Sequence, residues 1–329
     1  MYTIVTGAAG FIGSNLVRAL NQKGINKIIA VDHLKQAEKF KNLVGLDIAD
    51  YLDKHEFLDY LNTGALDGDI AAIFHEGACS NTMETDGAYM MENNFRYSSF
   101  LLDYCVEQEI PFIYASSAAT YGANNVFVES FENEAPLNIY GYSKYLFDQK
   151  VRRILNEMPC SQIVGCRYFN VYGYNEFHKG KMASVAMHNF FEFKQNGFVE
   201  LFEGSEHFLR DFIFVEDVVR VNLHFLEHPE ISGVFNLGTG KAQSFTEISR
   251  AVINTIRQSQ NLPELSLEAM QNEKLLRFKP FPDSLKGKYQ SFTEANLNNL
   301  RQNGKYTADF LSVYEGVSRY TAWLLENDK

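Results

Sequence analysis

Tyr140 lies four positions before Lys144 in the stretch PLNIYGYSKYLFDQK, where a helical pattern begins. Positions i and i+4 share one face of a helix, so we expect the ammonium of Lys144 beneath the phenol of Tyr140, where it favours the ionised form. A phenolate placed in this way can act as a general base. Because chance matches to this spacing are frequent, the pair gains meaning only from the elements around it.

A second chemical signal is the glycine motif GAAGFIG, between a predicted strand and a predicted helix. Its glycines are Gly7, Gly10 and Gly13, and a turn without side chains lets backbone N–H groups approach a pyrophosphate at a helix N-terminus. Asp32 closes the next predicted strand 19 residues after Gly13, where a carboxylate can bind an adenosine ribose hydroxyl. Together these residues predict a dinucleotide-binding site.

The residues around this motif leave the identity of the dinucleotide open. Asp32 alone favours NAD, as expected for a carboxylate that binds the ribose 2′-hydroxyl. Lys39 and Lys54 offer cations for the 2′-phosphate of NADP. Both cofactors are therefore compatible with this part of the chain.

Short apolar strands alternate with helical stretches over the first half of the chain. The predicted strands are YTIVT, KIIAV, AAIFHEGA, PFIYASS and SQIVGCRYFNVYG, and SNLVRALNQKG is predicted as an amphipathic helix. Strands that alternate with helices indicate a parallel sheet covered on both faces. The predicted fold class is α/β, with a doubly wound parallel sheet of the Rossmann type and a smaller C-terminal substrate-binding lobe.

The alternation weakens beyond about residue 172. This half contains a predicted helix, MASVAMHNFFEFKQNG, strand-like stretches around VELFEG, DFIFVEDVV and SGVFNLGTG, and a capping box from Ser244 to Glu247. An irregular proline-containing segment, NLPELSLEAM to RFKPFPDSLKGKY, precedes a closing helix. We predict a dinucleotide-binding domain over 1–172, to which elements around 212–240 return, and a mainly substrate-binding lobe over 173–329.

Composition and charge exclude several classes of protein. The 329 residues carry a formal net charge of −11, which argues against a general nucleic-acid or anionic-membrane binder. The chain has no run of about 18 apolar residues and no signal-like N-terminus, so we expect a cytoplasmic protein. Its four cysteines lack both metal-ligand spacing and the density of a disulfide scaffold, so we expect reduced thiols and no metal site.

Three polar stretches follow predicted strands: HEGACSNT, ASSAATYG and RYFNVYG. In open α/β sheets the ligand binds at the carboxyl ends of the strands. The chain resembles the extended short-chain dehydrogenase/reductase family of NAD-dependent epimerases and dehydratases. The resemblance rests on the glycine motif, on Ser117 four residues before Tyr121, and on Tyr140 four residues before Lys144. The later stretch RDFIFVEDV resembles the second-lobe signature of that family, so the resemblance covers nearly the whole chain.

The resemblance implies catalytic roles. In that family the tyrosine takes a hydroxyl proton while a hydride leaves the same carbon, which implies that Tyr140 is a base, that Lys144 supports it and that Ser117 binds the reacting oxygen. Dehydratases of the family carry an Asp-Glu pair just after the serine region, because elimination of water needs a further acid and base. Those positions are Ala118 and Ala119 in this chain, so dehydration is disfavoured.

Four further stretches resemble the branch of the family that epimerises ADP-heptose at carbon 6 and so supplies heptose for the inner core of lipopolysaccharide. They are ACSNTMETDG, NEFHKGKMASVAMH, FEGSEHFLRDF and DSLKGKYQSFT. In that branch a lysine in HKG, here Lys179, faces the tyrosine across the sugar, and the cofactor is NADP. The resemblance implies an NADP-dependent nucleotide-sugar epimerase that forms homo-oligomers, while a nucleotide-sugar 4-epimerase and a non-catalytic dinucleotide-binding sensor are the alternatives.

The same resemblance implies two sets of binding residues. The implied cofactor-binding residues are Gly7, Gly10, Phe11, Ile12, Gly13, Asp32, His33, Lys39, Lys54, Glu76, Gly77, Ala78, Cys79, Ser80, Asn93, Lys144, Val171 and Lys179. The implied substrate-binding residues are Ser117, Asn170, Lys181, His188, Phe202, Glu203, Gly204, Ser205, Arg210 and Tyr289. The chain departs from the family pattern at Lys181, where serine is usual, at His33, where asparagine is usual, and at Thr85, where tryptophan can occur. These departures bear on affinity more than on the class of reaction.

Overall fold

The computed structural model describes residues 1–282 and 292–328. The strands in these ranges are β1 (Tyr2–Thr6), β2 (Ile28–Asp32), β3 (Asp50–Asp53), β4 (Ile70–His75), β5 (Phe112–Ser117), β6 (Ile163–Tyr168), β7 (Asn170–Tyr172), β8 (Val199–Phe202), β9 (Leu209–Phe214), β10 (Gly233–Leu237), β11 (Ala242–Ser244) and β12 (Leu276–Lys279).

The helices share the same described ranges. They are α1 (Phe11–Gln22), α2 (Lys54–Asn62), α3 (Gly87–Met91), α4 (Tyr97–Glu107), α5 (Ile139–Asn156), α6 (Val185–Asn196), α7 (Val215–Glu227), α8 (Phe245–Ser259), α9 (Leu267–Asn272), α10 (Asn298–Gln302) and α11 (Val313–Asn327). A π-helical turn over Glu92–Arg96 joins α3 to α4. Throughout the described part of the chain, no helix combines the length and the apolar character needed to cross a membrane.

Seven strands form one parallel sheet in the order β10-β6-β5-β4-β1-β2-β3. The chain builds outward from β1 in both directions, so the order reverses between β1 and β4. Such a point opens a crevice at the carboxyl ends of the strands, where ligands of doubly wound sheets bind. The sheet confirms the predicted fold class.

This sheet has a core of aliphatic and aromatic side chains. Strand β2 is buried at every position, as expected for a parallel strand covered on both faces. Phe57 of α2, Leu101 of α4 and Phe147 of α5 are buried with Phe112 of β5 in one cluster. Helices α2, α4 and α5 are therefore anchored to the sheet by apolar contacts.

The chain divides into two compact units. The first contains Met1–Tyr168, Val218–Leu237 and Asn296–Thr307, and the second contains Phe169–Asp217, Gly238–Ala295 and Ala308–Lys329. In the second unit, β11-β9-β7 and β12-β8 form two small sheets, and α8 packs against α6 and α11.

Two details differ from the sequence-based expectations. The stretch SQIVGCRYFNVYG contains two strands, because β7 pairs with β9 in the second unit and does not continue β6. The segment expected to be irregular contains α9 and β12. Ser266 caps α9 by accepting from the N–H of Ala269, and β12 pairs in parallel with the distant strand β8.

Candidate active site

The turn between β1 and α1 leaves no room for side chains. Gly7 has a φ of +67°, and a Cβ atom on it would lie 2.7 Å from the backbone N of Gly77. A Cβ on Gly13 would lie 2.2 Å from the carbonyl O of Gly7, to which the N–H of Gly10 donates over 2.8 Å. Helix α1 begins at Phe11 without a side-chain cap. A bare turn at an uncapped helix N-terminus fits the pyrophosphate of a dinucleotide.

Asp32, at the end of β2, is buried among hydrogen-bond donors. Its Oδ2 accepts from the N–H of Ala9 over 2.9 Å, and its Oδ1 accepts from the N–H of His33 over 2.7 Å. Nζ of Lys39 lies 2.5 Å from Oδ1, and the side chains of Lys39 and Asp32 are only 10% and 5% exposed. Three of the predicted cofactor residues are therefore together, with a buried ion pair between two of them.

Lysines gather near the end of β2 and the start of α2. Nζ of Lys54 donates to Oδ1 of Asn93 over 2.5 Å. The pKa of Lys54 is lowered mainly by burial and next by the charge of Lys35. The pKa of His33 is lowered mainly by burial and next by the charge of Lys39. We call Lys35, Lys39 and Lys54 the cationic cluster. Lys35 was not predicted from the sequence, since its nearness to Lys54 arises only when β2 and β3 pair.

The loop after β4 is held by Asn94, the neighbour of the predicted cofactor-binding residue Asn93. Oδ1 of Asn94 accepts from the N–H of Cys79 over 2.8 Å, and its Nδ2 donates to the carbonyl of Cys79 over 2.9 Å. The N–H of Gly77 donates to Oγ1 of Thr6 over 3.1 Å. Asn94 is buried on the π-helical turn, and no local signal in the sequence distinguishes it from Asn93.

Glu76 places a buried carboxyl group at the end of β4. Its Oε1 accepts from the hydroxyl of Tyr168 over 2.8 Å. Within the described ranges, its Oε2 is buried and has no hydrogen-bond partner. Burial raises the pKa of Glu76 to about 7, although the Tyr168 hydrogen bond and the charge of Lys144 act in the opposite direction. A carboxyl group with this pKa is divided between its two protonation states near neutral pH.

Lys144 is buried at the carboxyl end of β5. Its Nζ donates to the carbonyl O of Ala115 over 2.6 Å. Burial lowers the pKa of Lys144 to about 8, and the negative charges of Glu76 and then Asp148 partly offset this effect. The ammonium is thus held by a strand carbonyl, and the acidic side chains nearby favour its charged form.

Tyr140 lies in the first turn of α5, with the hydroxyl of Ser117 close enough to act on its phenol. Burial raises the pKa of Tyr140, and the nearby Ser117 lowers it by less. The i, i+4 spacing predicts that Lys144 favours the ionised phenol, and this stays a prediction. Lys144 also donates to the β5 backbone, while desolvation acts on the phenol. The fold nonetheless brings Ser117, Tyr140 and Lys144 to one end of the sheet.

A buried ion network anchors α5 behind these residues. Asp148 of α5 accepts from the hydroxyls of Tyr114 and Ser116 over 2.9 and 2.8 Å. Nε of Arg167 donates to the same carboxylate over 2.8 Å, and a second guanidinium nitrogen lies 2.6 Å from Oε1 of Glu134. These contacts connect the helix that carries Tyr140 to β5 and β6.

In the second unit, Lys179 lies on a 3-10 segment, Phe177–Met182, beside a cavity of about 190 Å³. Asn170, Phe212 and Phe245 also line this cavity. Nζ of Lys179 lies 3.2 Å from Oε2 of the buried Glu176. The cavity thus combines an amide and an ammonium with aromatic walls.

The other predicted substrate residues differ in burial. Arg210 is buried and donates to the carbonyl of Leu209 over 3.2 Å, while Nδ2 of Asn170 donates to the carbonyl of Asp211 over 3.0 Å. Oγ of Ser205 donates to the carbonyl of Phe202 over 2.5 Å. Tyr289 lies outside the described residues. The remaining predicted residues are buried (Phe11), half-buried (Ile12, Val171, Gly204) or exposed (Ala78, Ser80, Lys181, His188, Glu203).

The chain belongs to the NAD dependent epimerase/dehydratase family, whose model matches residues 3–238. This result confirms the family resemblance found in the sequence. The family match contains the glycine turn, Ser117, Tyr140 and Lys144.

Individual relatives are more informative. The ADP-L-glycero-D-manno-heptose-6-epimerase of Thiobacillus denitrificans is 56% identical over 331 residues, which cover 99% of each chain. The crystal structure of the Helicobacter pylori ADP-L-glycero-D-manno-heptose-6-epimerase matches with a TM-score of 0.81 at 28% identity, over 98% of this chain and 96% of that one. UDP-glucose 4-epimerase of Thermotoga maritima matches in fold, with a TM-score of 0.78 at 24% identity over 100% of both chains.

Proposed function

We propose that this chain converts ADP-D-glycero-D-manno-heptose to ADP-L-glycero-D-manno-heptose by inverting carbon 6, and so supplies heptose for lipopolysaccharide. The observation that carries the proposal is the 56% identity, along 99% of the chain, to a heptose 6-epimerase. The nearness of Tyr140 to Ser117, at the same end of the sheet as the glycine turn, supports a reaction that couples proton transfer to a dinucleotide.

Tyr140 and Lys179 are the proposed acid/base groups. When bound, the oxidised cofactor supplies a hydride acceptor, and its reduced form supplies a hydride donor. One of the two residues takes the proton of the carbon 6 hydroxyl as the carbon is oxidised. The other gives a proton to the oxygen when the ketone is reduced on its opposite face. Ser117 would hold the reacting oxygen, and Lys144 would supply positive charge near the phenol of Tyr140.

Substitution of each base tests these roles. Tyr140→Phe and Lys179→Met should each lower the rate of epimerisation by about 10²- to 10⁴-fold, the usual contribution of a general acid or base. On a substrate aldehyde analogue, each single variant should keep one-sided redox activity, because one acid/base group remains. The double variant should lose nearly all of it. Full activity of the double variant would refute the assignment.

The substrate and the route are tested with the natural reaction. ADP-D-glycero-D-manno-heptose should be converted and UDP-glucose should not, with the configuration at carbon 6 read by NMR. Conversion of UDP-glucose alone would identify a 4-epimerase. In deuterated water, direct hydride removal and return should leave carbon 6 free of deuterium. Incorporation of solvent deuterium at that carbon would indicate a carbanion route.

We also propose that the cofactor is NADP. Support comes from the cationic cluster, since its lysines gather near Asp32 and offer positive charge to a 2′-phosphate. Lys54→Ala should weaken binding of NADP relative to NAD by about 1–3 kcal/mol, the scale of a charge-assisted hydrogen bond. Lys41→Ala is the control, because Lys41 is an exposed lysine paired with Glu38. Release of NAD alone from the denatured protein would contradict the proposal.

A further inference from the structure

Glu176 is a buried carboxylate next to a proposed acid/base residue. Its side chain is 0% exposed, and it immediately precedes the 3-10 segment that carries Lys179. Its Oε1 accepts from the hydroxyl of Ser184 over 2.5 Å, and its Oε2 accepts from the N–H of Ser184 over 2.8 Å. Oε2 also accepts from Nζ of Lys179 over 3.2 Å, and the N–H of Lys179 donates to the carbonyl of Glu176 over 3.0 Å. Glu176 therefore contacts both the backbone and the side chain of Lys179.

The surroundings of Glu176 stabilise a charged carboxylate in one position. Ser184 is the N-cap of α6, so the carboxylate lies at the positive end of a 12-residue helix. Lys179 faces the carboxylate from the 3-10 segment, and Tyr320 faces it from α11. The pKa of Tyr320 is raised mainly by burial and next by the charge of Glu176. Since a buried carboxylate is costly unless it is paired and hydrogen-bonded, Lys179 and Ser184 together hold it in place.

We propose that Glu176 is the positioning residue for the acid/base function of Lys179, an inference that rests on the proposed role of Lys179 in epimerisation. A lysine side chain has a long flexible stem and loses rotamer freedom when it is fixed. Glu176 fixes the ammonium beside the cavity lined by Asn170 and Phe212. The lysine side chain therefore loses its rotamer freedom when the protein folds, and this entropy is not lost again during the reaction. Without Glu176 the ammonium would lose the buried carboxylate that it faces, and a displacement of about 1 Å can lower a rate by about 10²-fold.

The experiment separates the two proton-transfer centres. In a Tyr140→Phe background, redox activity on the aldehyde analogue depends on Lys179, and in a Lys179→Met background it depends on Tyr140. Glu176→Gln should lower kcat about 10²-fold more when it is added to Tyr140→Phe than when it is added to Lys179→Met. We expect little change in KM in either background. Glutamine keeps the size of the side chain and an acceptor for Ser184, so the helix cap is retained.

Two further variants serve as controls. Glu176→Asp keeps the charge and should recover part of the lost Lys179-dependent activity. Glu315→Gln removes a carboxylate that also caps a helix of the second unit, through Ser312, and should leave the ratio of the two activities unchanged. That ratio responds to placement of Lys179 and not to a general loss of stability.

Equal losses in the two backgrounds would overturn the proposal, because a purely structural role would affect both centres alike. If Glu176→Gln does not fold, equal losses in Glu176→Asp overturn it in the same way. Full epimerase activity of Lys179→Met alone would overturn both the role of Lys179 and the inference about Glu176. Failure of the unmodified protein to act on the ADP-heptose would instead refute the proposed function, whatever the two-background ratio shows.

Discussion

Glu76 should make this protein less stable as the pH rises from about 5 to about 7. Its carboxyl group is buried at the end of β4, and burial raises its pKa from 4.5 to about 7. The folded chain therefore keeps this proton to a higher pH than the unfolded chain does. The stabilisation is complete below the unfolded pKa of 4.5 and is lost as the pH passes through the folded pKa. A pKa difference of this size corresponds to about 3 kcal/mol.

Glu76→Gln removes the titration and keeps an oxygen that accepts from the hydroxyl of Tyr168. We expect the variant to be more stable than the unmodified protein above pH 7, by up to about 3 kcal/mol, and to lose this advantage below pH 5. The measurement is the free energy of unfolding in urea at pH values from 5 to 8, with the same concentration of NADP in every sample. Glu326→Gln, an exposed substitution on α11, should leave the pH dependence unchanged.

The comparison between the two proteins is the decisive quantity, because other buried carboxyl groups also titrate. Burial raises the pKa of Glu129 and of Asp211 as well, and both remain in the variant. A Glu76→Gln variant whose stability changes with pH as steeply as that of the unmodified protein would refute the reasoning. In that case the Glu76 carboxyl group would be ionised in the folded chain without a measurable cost.

Two further substitutions test the parts that position the site. Gly13→Ala places a Cβ 2.2 Å from the carbonyl O of Gly7, so the turn must move. The purified variant should therefore retain little nucleotide, and a normal ratio of nucleotide to protein would contradict this prediction. Asp148→Asn removes one of the two buried carboxylates that pair with Arg167 and should lower the free energy of unfolding by about 3–5 kcal/mol. Asp103→Asn, which breaks an exposed ion pair, should cost less than about 1 kcal/mol, and equal effects of the two would show that burial is unimportant here.

Features that depend on near neighbours along the chain were predictable from the sequence. The alternation of strands and helices indicated the doubly wound sheet, and the glycine motif indicated the turn at the start of α1. Asp32 is at the end of β2, as the spacing from Gly13 predicted. The i, i+4 relation of Tyr140 and Lys144 placed both on α5. Each of these depends on periodicity or on a turn of a few residues, which the local sequence specifies.

Features that depend on pairing between distant segments were not predictable in the same way. Strand β7 belongs to a second sheet because it pairs with β9. Helix α9 is stabilised by its cap, and β12 is stabilised by pairing with β8. Asn94 holds the loop after β4, because the π-helical turn directs it inward.

The sequence by itself determined the class of fold, the family and the residues from which the chemistry is proposed. The tertiary structure decided their charge states and partners. Glu76 meets Tyr168 from another strand, and Lys144 meets a carbonyl of β5, so burial and not spacing sets the pKa of each. A pKa depends on desolvation and on charges across space, and these exist only once the chain has folded.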